Sequence, residues 1–199
     1  PTRRGRYEFL RRVIQGAQQV NGLLVGAMSR TAAYEFAWLG RYLERADMTT
    51  RIVDVRSASL LARPKQTSSQ TPPATVSEQA EQDPFESIQW MSVLKSLSAY
   101  QMYRQQVRLR VGGPDVLKFL LQDESFPRAV SFCLKQLEIC LRELPKNAAP
   151  LAAIDALKRR LNAAEVPELA DAGLHEFIDQ FQVGLGELHD RIAATYFMH

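Results

Sequence analysis

FAWLGRYLERADMTTRIV, residues 36–53, decides the fold class. Phe36, Leu39, Leu43, Ala46, Thr50 and Val53 recur at intervals of three and four, the spacing of one face of an α-helix. The other positions carry Arg41, Glu44, Arg45, Asp47 and Arg51, so one seam is fit for burial and the rest for solvent. Upstream, Ser29 or Thr31 can cap this helix, and Glu35 sits near its positive end. The pattern runs on to Leu61, which predicts a helix roughly 45 Å long that sets the long dimension of a bundle.

Working outward, Phe9, Val13, Ala17, Val20, Leu24 and Ala27 predict an earlier helix over Arg4–Met28. Gly16, Gly22 and Gly26 weaken it in isolation but permit close approach by a neighbour. Residues 63–84 hold four prolines and no aromatic residue, and read as a flexible linker rich in Pro, Ser, Thr and Gln. Helical pattern resumes at Phe85 and continues through Trp90, Met91, Tyr100 and Tyr103 to Val107, then stops at Gly112-Gly113-Pro114. A short helix over Asp115–Leu121 follows. Ser125 as cap and Pro127 in the first turn predict the start of a helix carrying Val130, Cys133, Leu134, Leu137 and Leu141. Pro150–Ala164, a short segment around Pro167 and a long helix over Gly173–Met198 complete the chain. The expected fold is all-α, an antiparallel bundle of six to seven helices with no sheet, over a single domain spanning 1–199.

Composition bounds the function classes. The 199 residues are 46% hydrophobic and 24% charged, an ordinary globular balance that can bury a core without staples. No stretch approaches ~18 uninterrupted apolar residues, so no membrane span is expected, and no secretory leader is visible. Cys133 and Cys140, seven apart on one helix, are separated by about 10 Å, beyond disulfide reach. They read as reduced core cysteines of a cytoplasmic protein. A net charge of +3 is too small to demand nucleic acid, and the acids interspersed on the same helices argue against it. Residues 1–62 nevertheless hold ten arginines and no lysine, a bias toward bidentate pairing with carboxylates or phosphates.

The densest chemistry is Arg41, Glu44 and Arg45. On a helix, Arg41 and Arg45 stand one turn apart with Glu44 beside both, so the three heads can converge. Read functionally, a carboxylate between guanidinium groups binds an anionic substrate group or has its own protonation perturbed. Read structurally, Glu44 neutralises arginines that bridge neighbouring helices. Asp47 with Arg51, and Arg51 with Asp54, extend the charged stripe. No metal site is expected: His175-Glu176 lacks a second histidine at helical spacing, Glu187 and His189 lie on different faces, and His175 and His189 are about 21 Å apart along their helix. No phosphate loop, nucleophile signature or cofactor motif occurs. Trp90, Met91, Tyr100 and Tyr103 read as core rather than as a binding box, and the two Gly-Arg-Tyr triplets are too short to make a repeat.

Trp38-Leu39-Gly40-Arg41-Tyr42-Leu43-Glu44-Arg45-Ala46-Asp47 closely resembles the hallmark of the bacterial alpha-E family, an aromatic-x-Gly-Arg-Tyr-x-Glu-Arg-Ala run in a long helix. Phe119-Leu120-Leu121 leading into Ser125-Phe126-Pro127-Arg128-Ala129-Val130 is similar to the family's second recurring stretch, with Ala129 where Ser is usual. The resemblance covers nearly all of this chain and corresponds to the later part of the family's domain, which normally begins with an earlier copy of the Glu-Arg motif. It implies that this chain is a fragment of a longer alpha-E domain. It also implies a helical bacterial domain encoded with, or fused to, circularly permuted ATP-grasp proteins and transglutaminase-like proteins. Arg41, Glu44, Arg45 and Arg128 become candidate binding residues, with Glu44 the candidate catalytic group. The expected function is an accessory or docking domain of a peptide or amide-bond system, taking a peptide or other anionic ligand. The alternative is an enzyme with Glu44 as general acid or base and Arg41, Arg45 and Arg128 holding an anionic substrate. Exposed apolar surface left by a missing first half also makes a homo-oligomer an expectation.

Overall fold

A computed structural model describes residues 3–61, 84–107, 111–171 and 173–198, with side chains over 4–55, 86–107, 111–170 and 173–198. Those residues form nine helices and no strand: α1 (Arg3–Ala27), α2 (Ala32–Leu61), α3 (Pro84–Ser96), α4 (Tyr100–Gln106), α5 (Gly113–Gln122), α6 (Val130–Arg142), α7 (Ala148–Asn162), α8 (Val166–Asp171) and α9 (Leu174–Tyr196). The expected linker, residues 63–84, lies outside the described residues except for Pro84, which opens α3.

Nine helices replace the expected six or seven, in part because the pattern over 85–107 breaks into α3 and α4. Ser98 adopts φ 53°, the left-handed conformation of a helix stop, and the Ala99 N–H reaches back to the Leu94 carbonyl at 2.7 Å. Ser98 N–H bonds to the Lys95 carbonyl at 3.1 Å, completing the reciprocal pair that ends such a helix. The stop is silent in the sequence because serine occupies a position usually held by glycine. The break turns Tyr103 inward, and Trp90, Leu94, Leu97 and Tyr103 are all buried with Leu117, Leu120 and Ile178. The aromatic cluster over 90–103 is therefore core.

Helix α2 is the spine. Its seam residues Leu39, Ala46 and Val53 are buried, the first two in a core with Leu134, Leu137, Leu141, Ile154 and Phe181, the third in the core around Trp90. The partners of α2 fix the direction of its neighbours. Phe36 meets Tyr196, Thr50 meets Gln182, and Asp54 meets His175, so α9 runs antiparallel to α2. Tyr42 packs on Phe132 and Thr49 bonds the Arg128 carbonyl, so α6 also runs antiparallel to α2. Both cysteines are free and buried on α6, and burial pushes each thiol up to about 12. No helix among the described residues is long and apolar enough to cross a membrane.

Helix α1 departs from the sequence expectation. Tyr7, Phe9, Leu10, Val13, Ile14, Val20, Leu23 and Val25 are each more than half exposed, and nothing approaches Gly16, Gly22 or Gly26 closely. The seam read from Phe9 to Ala27 exists as a helix face but is not packed against the bundle. What ties α1 to α2 is polar: Arg41 Nη1 donates to Asn21 Oδ1 at 2.6 Å.

The α2–α9 junction carries a pH signature. His175 Nδ1 meets Asp54 Oδ1 at 2.7 Å, and that hydrogen bond, followed by the charge of Asp54, raises the imidazole above its ordinary 6.5. The contribution is fully present below about pH 6.5, the unfolded-state value, and is lost as pH rises through the higher folded value. An NMR titration of His175 is expected to give a midpoint above 6.5 that falls back toward it in Asp54→Asn. A wild-type midpoint at or below 6.5 would remove the clasp.

Candidate functional site

The site is built where two stretches of chain about eighty residues apart are drawn together. Between α5 and α6, Asp123 Oδ1 accepts from the Ser125 N–H at 2.8 Å, the Ser125 hydroxyl at 2.8 Å and the Phe126 N–H at 2.6 Å. One carboxylate thereby folds the turn, as short polar side chains do when they replace backbone partners. Phe126 is buried and stacks on Phe119 with centroids 4.9 Å apart. This corrects the expectation for the start of α6. Ser125 and Pro127 do not open the helix; Ala129 takes the cap position, with no side-chain cap, and Val130 is the first helical residue. Asp123 has already engaged Ser125, so the helix starts later.

The turn presents its carbonyls to α2. Thr49, itself buried, donates its hydroxyl to the Arg128 carbonyl at 2.9 Å. Arg45 Nη1 reaches the Pro127 carbonyl at 3.5 Å, and Cys133 Sγ lies 3.7 Å from the same oxygen. Arg128 is thus brought beside the motif helix, with its side chain exposed.

Along the same part of α2, Tyr34, Trp38 and Tyr42 follow one another at helical spacing. Trp38 lies 5.6 Å from Tyr34 and 5.5 Å from Tyr42, and Tyr42 is 6.2 Å from Phe132 of α6. Guanidinium groups sit over these rings: Arg30 3.9 Å from Tyr34, Arg41 4.6 Å from Trp38 and Arg45 5.8 Å from Tyr42. The spacing of Tyr34, Trp38 and Tyr42, with arginines at 30, 41 and 45, is the sequence signal for this ladder.

The electrostatics separate the four sequence candidates. Arg41, Arg45 and Arg128 make no ion pair with any carboxylate among the described residues, whereas Asp47 pairs with Arg51 at 2.6 Å. Burial lowers the pKa of Arg45, and the like charges of Arg41 and then Arg128 lower it further. Glu44 is exposed and makes no hydrogen bond to Arg41 or Arg45; its charge is felt by Arg51 on the other flank. The three arginines are therefore grouped and the glutamate stands aside. Spacing alone left these alternatives open, because the arginines had not been given their aromatic and carbonyl partners.

A part-buried group of guanidiniums without acids attracts anions. Cys133, whose thiol feels the charges of Arg45 and Arg128, is nevertheless held up at about 12 by burial, which outweighs both arginines. Among the described residues no three His, Cys, Asp or Glu side chains gather as metal ligands do. Two surface concavities of about 240 and 270 Å³ lie elsewhere, one against Arg160 and Arg191, the other against Glu138 and Lys158. The arginine group is an open surface feature. Its integrity rests on Thr49. Thr49→Val keeps the shape and removes the donor, and is expected to cost about 1–3 kcal/mol in denaturant unfolding by leaving the Arg128 carbonyl unpaired; a change below about 0.3 kcal/mol would mean the clamp is unimportant.

Comparison with known proteins places these stretches. A family model described as "a predicted alpha-helical domain with a conserved ER motif" matches residues 2–197, nearly the whole chain. No curated protein and no solved structure matches. Glu44-Arg45 is the one Glu-Arg dipeptide in the sequence, and it lies on α2 where the arginine group forms. The chain belongs to the Alpha-E family.

Proposed function

We propose that this Alpha-E domain is an accessory or docking module of a bacterial ATP-grasp-linked peptide or amide-bond system in the cytoplasm. Its arginine face orients an anionic segment or ligand. The observation that carries this reading is the grouping of Arg41, Arg45 and Arg128 without a carboxylate partner among the described residues, on a rigid helix–turn scaffold. Such a face steers and orients a negatively charged partner more than it stabilises the fold. A circularly permuted ATP-grasp protein or a transglutaminase-like protein is the partner class, and an acidic peptide is the simplest ligand.

The position of Glu44 favours docking over catalysis. A general acid or base has to reach the bound group, and Glu44 lies on the flank of Arg51 rather than among the arginines. Binding to a purified circularly permuted ATP-grasp protein from the same genome tests the reading. We expect affinity that falls steeply with salt, drops at least about tenfold in Arg41→Glu/Arg45→Glu, and is unchanged in Glu44→Gln. Unaltered binding by the charge-reversed protein at low salt would contradict it. Loss of a turnover activity in Glu44→Gln with binding intact would favour an enzyme instead.

A further inference from the structure

We propose that the Arg45-centred face is a site for a phosphate group, a doubly charged oxyanion, rather than for a lone carboxylate. The inference deepens the docking reading and rests on it for the site's being an anion site at all.

Three features carry it. The first is a charge with no carboxylate partner among the described residues. Arg45 is part-buried, with Arg41 one turn before it on the same helix and its own Nη1 at the carbonyl of Pro127, the residue before Arg128. Burial and then the like charges of both arginines lower its pKa. Guanidinium groups do not release their protons in proteins, so deprotonation does not relieve the repulsion and a bound anion does. The nearby acids of α2 do not serve: Asp47 is engaged with Arg51, and Glu44 lies toward the same residue.

The second is preorganisation. Arg41 is held over Trp38 and by Asn21 Oδ1, and Arg45 lies over Tyr42 with one nitrogen at the Pro127 carbonyl. Side chains fixed in this way lose little freedom when a ligand arrives, and the face cannot dissipate its charge by swinging both arginines apart into solvent.

The third is stoichiometry of charge and donors. A carboxylate brings one negative charge and two oxygens to three cationic forks. A phosphate monoester brings a charge of about −1.5 to −2 and three acceptor oxygens, a closer match in charge and in number of acceptors. The neutral Cys133 thiol beside the turn adds no competing negative charge.

Thermal unfolding of the whole chain in chloride buffer, with millimolar inorganic phosphate, glycerol 2-phosphate or acetate at matched ionic strength, tests this. Phosphate is expected to raise the midpoint by about 3–6 °C, as a ligand binding only the folded state does, with acetate having no effect. A rise with both phosphates identifies a site that accepts free and esterified groups, and a rise with one alone identifies the source; either supports the proposal. Arg45→Gln is expected to abolish the shift. Arg128→Gln, at an exposed position, is expected to shrink it while melting no lower than wild type in chloride, because a like charge has been removed. An equal rise with acetate would overturn the phosphate preference and leave the docking reading standing. No rise with any anion would overturn both, and a full phosphate shift in Arg128→Gln would place the bound ion elsewhere.

Discussion

The structure depends on one junction, the seating of the Pro127–Arg128 turn on the middle of α2. A buried threonine hydroxyl and the edge of a guanidinium take the two carbonyls of a turn that one aspartate has already folded. From that point α6 runs back along α2, and Tyr42 meets Phe132 one turn further on. An unpaired buried carbonyl costs more than a formed hydrogen bond contributes, so Thr49 specifies the register of the helix pair more than it strengthens it. With α6 placed, Leu134, Leu137 and Leu141 close one core together with Phe181 and Leu185 of α9, and α9 reaches the second core through Leu174 and Ile178.

The same junction divides the charges of α2. On one flank Asp47 pairs with Arg51, which also feels the charge of Glu44, and Asp54 reaches across to His175. On the other flank Arg41 and Arg45 lean on aromatic rings, and Arg45 feels the charge of Arg128. Exposed ion pairs of the first kind contribute little to stability and are replaceable. Like charges of the second kind work against the fold rather than for it. The two residues of the Glu-Arg pair therefore differ in surroundings: Glu44 is exposed and acts on Arg51 by its charge, and Arg45 is part-buried over Tyr42.

How much of this was legible in the sequence follows the range of each interaction. The seam from Phe36 to Val53 is a local periodicity, and it identified α2 and its buried side. The cysteines and the Trp90–Tyr103 aromatics were readable as core for the same reason. The stop at Ser98 was hidden, because a left-handed serine leaves no glycine signal. The start of α6 was misplaced because the cap rule weighs Ser125 without seeing that Asp123 has engaged it. The exposure of α1 was invisible, since amphipathic spacing shows that a face exists and not what covers it. Among the site residues, Arg128 entered only through a family resemblance, and Thr49 did not enter at all. Its role lies in a contact across seventy-nine positions, which no local pattern encodes.

The most direct test of the central claim, that Arg45 and Arg128 are like charges acting on one another with no carboxylate partner among the described residues, is their coupling energy. A double-mutant cycle of Arg45→Gln and Arg128→Gln, measured by urea unfolding at low chloride, isolates that term from the packing each residue makes alone. The account predicts a repulsive coupling of about 0.5 kcal/mol or more that shrinks as salt is added. A coupling of zero, or one that is attractive, would mean that the two guanidiniums do not share a field, and the site would have to be abandoned.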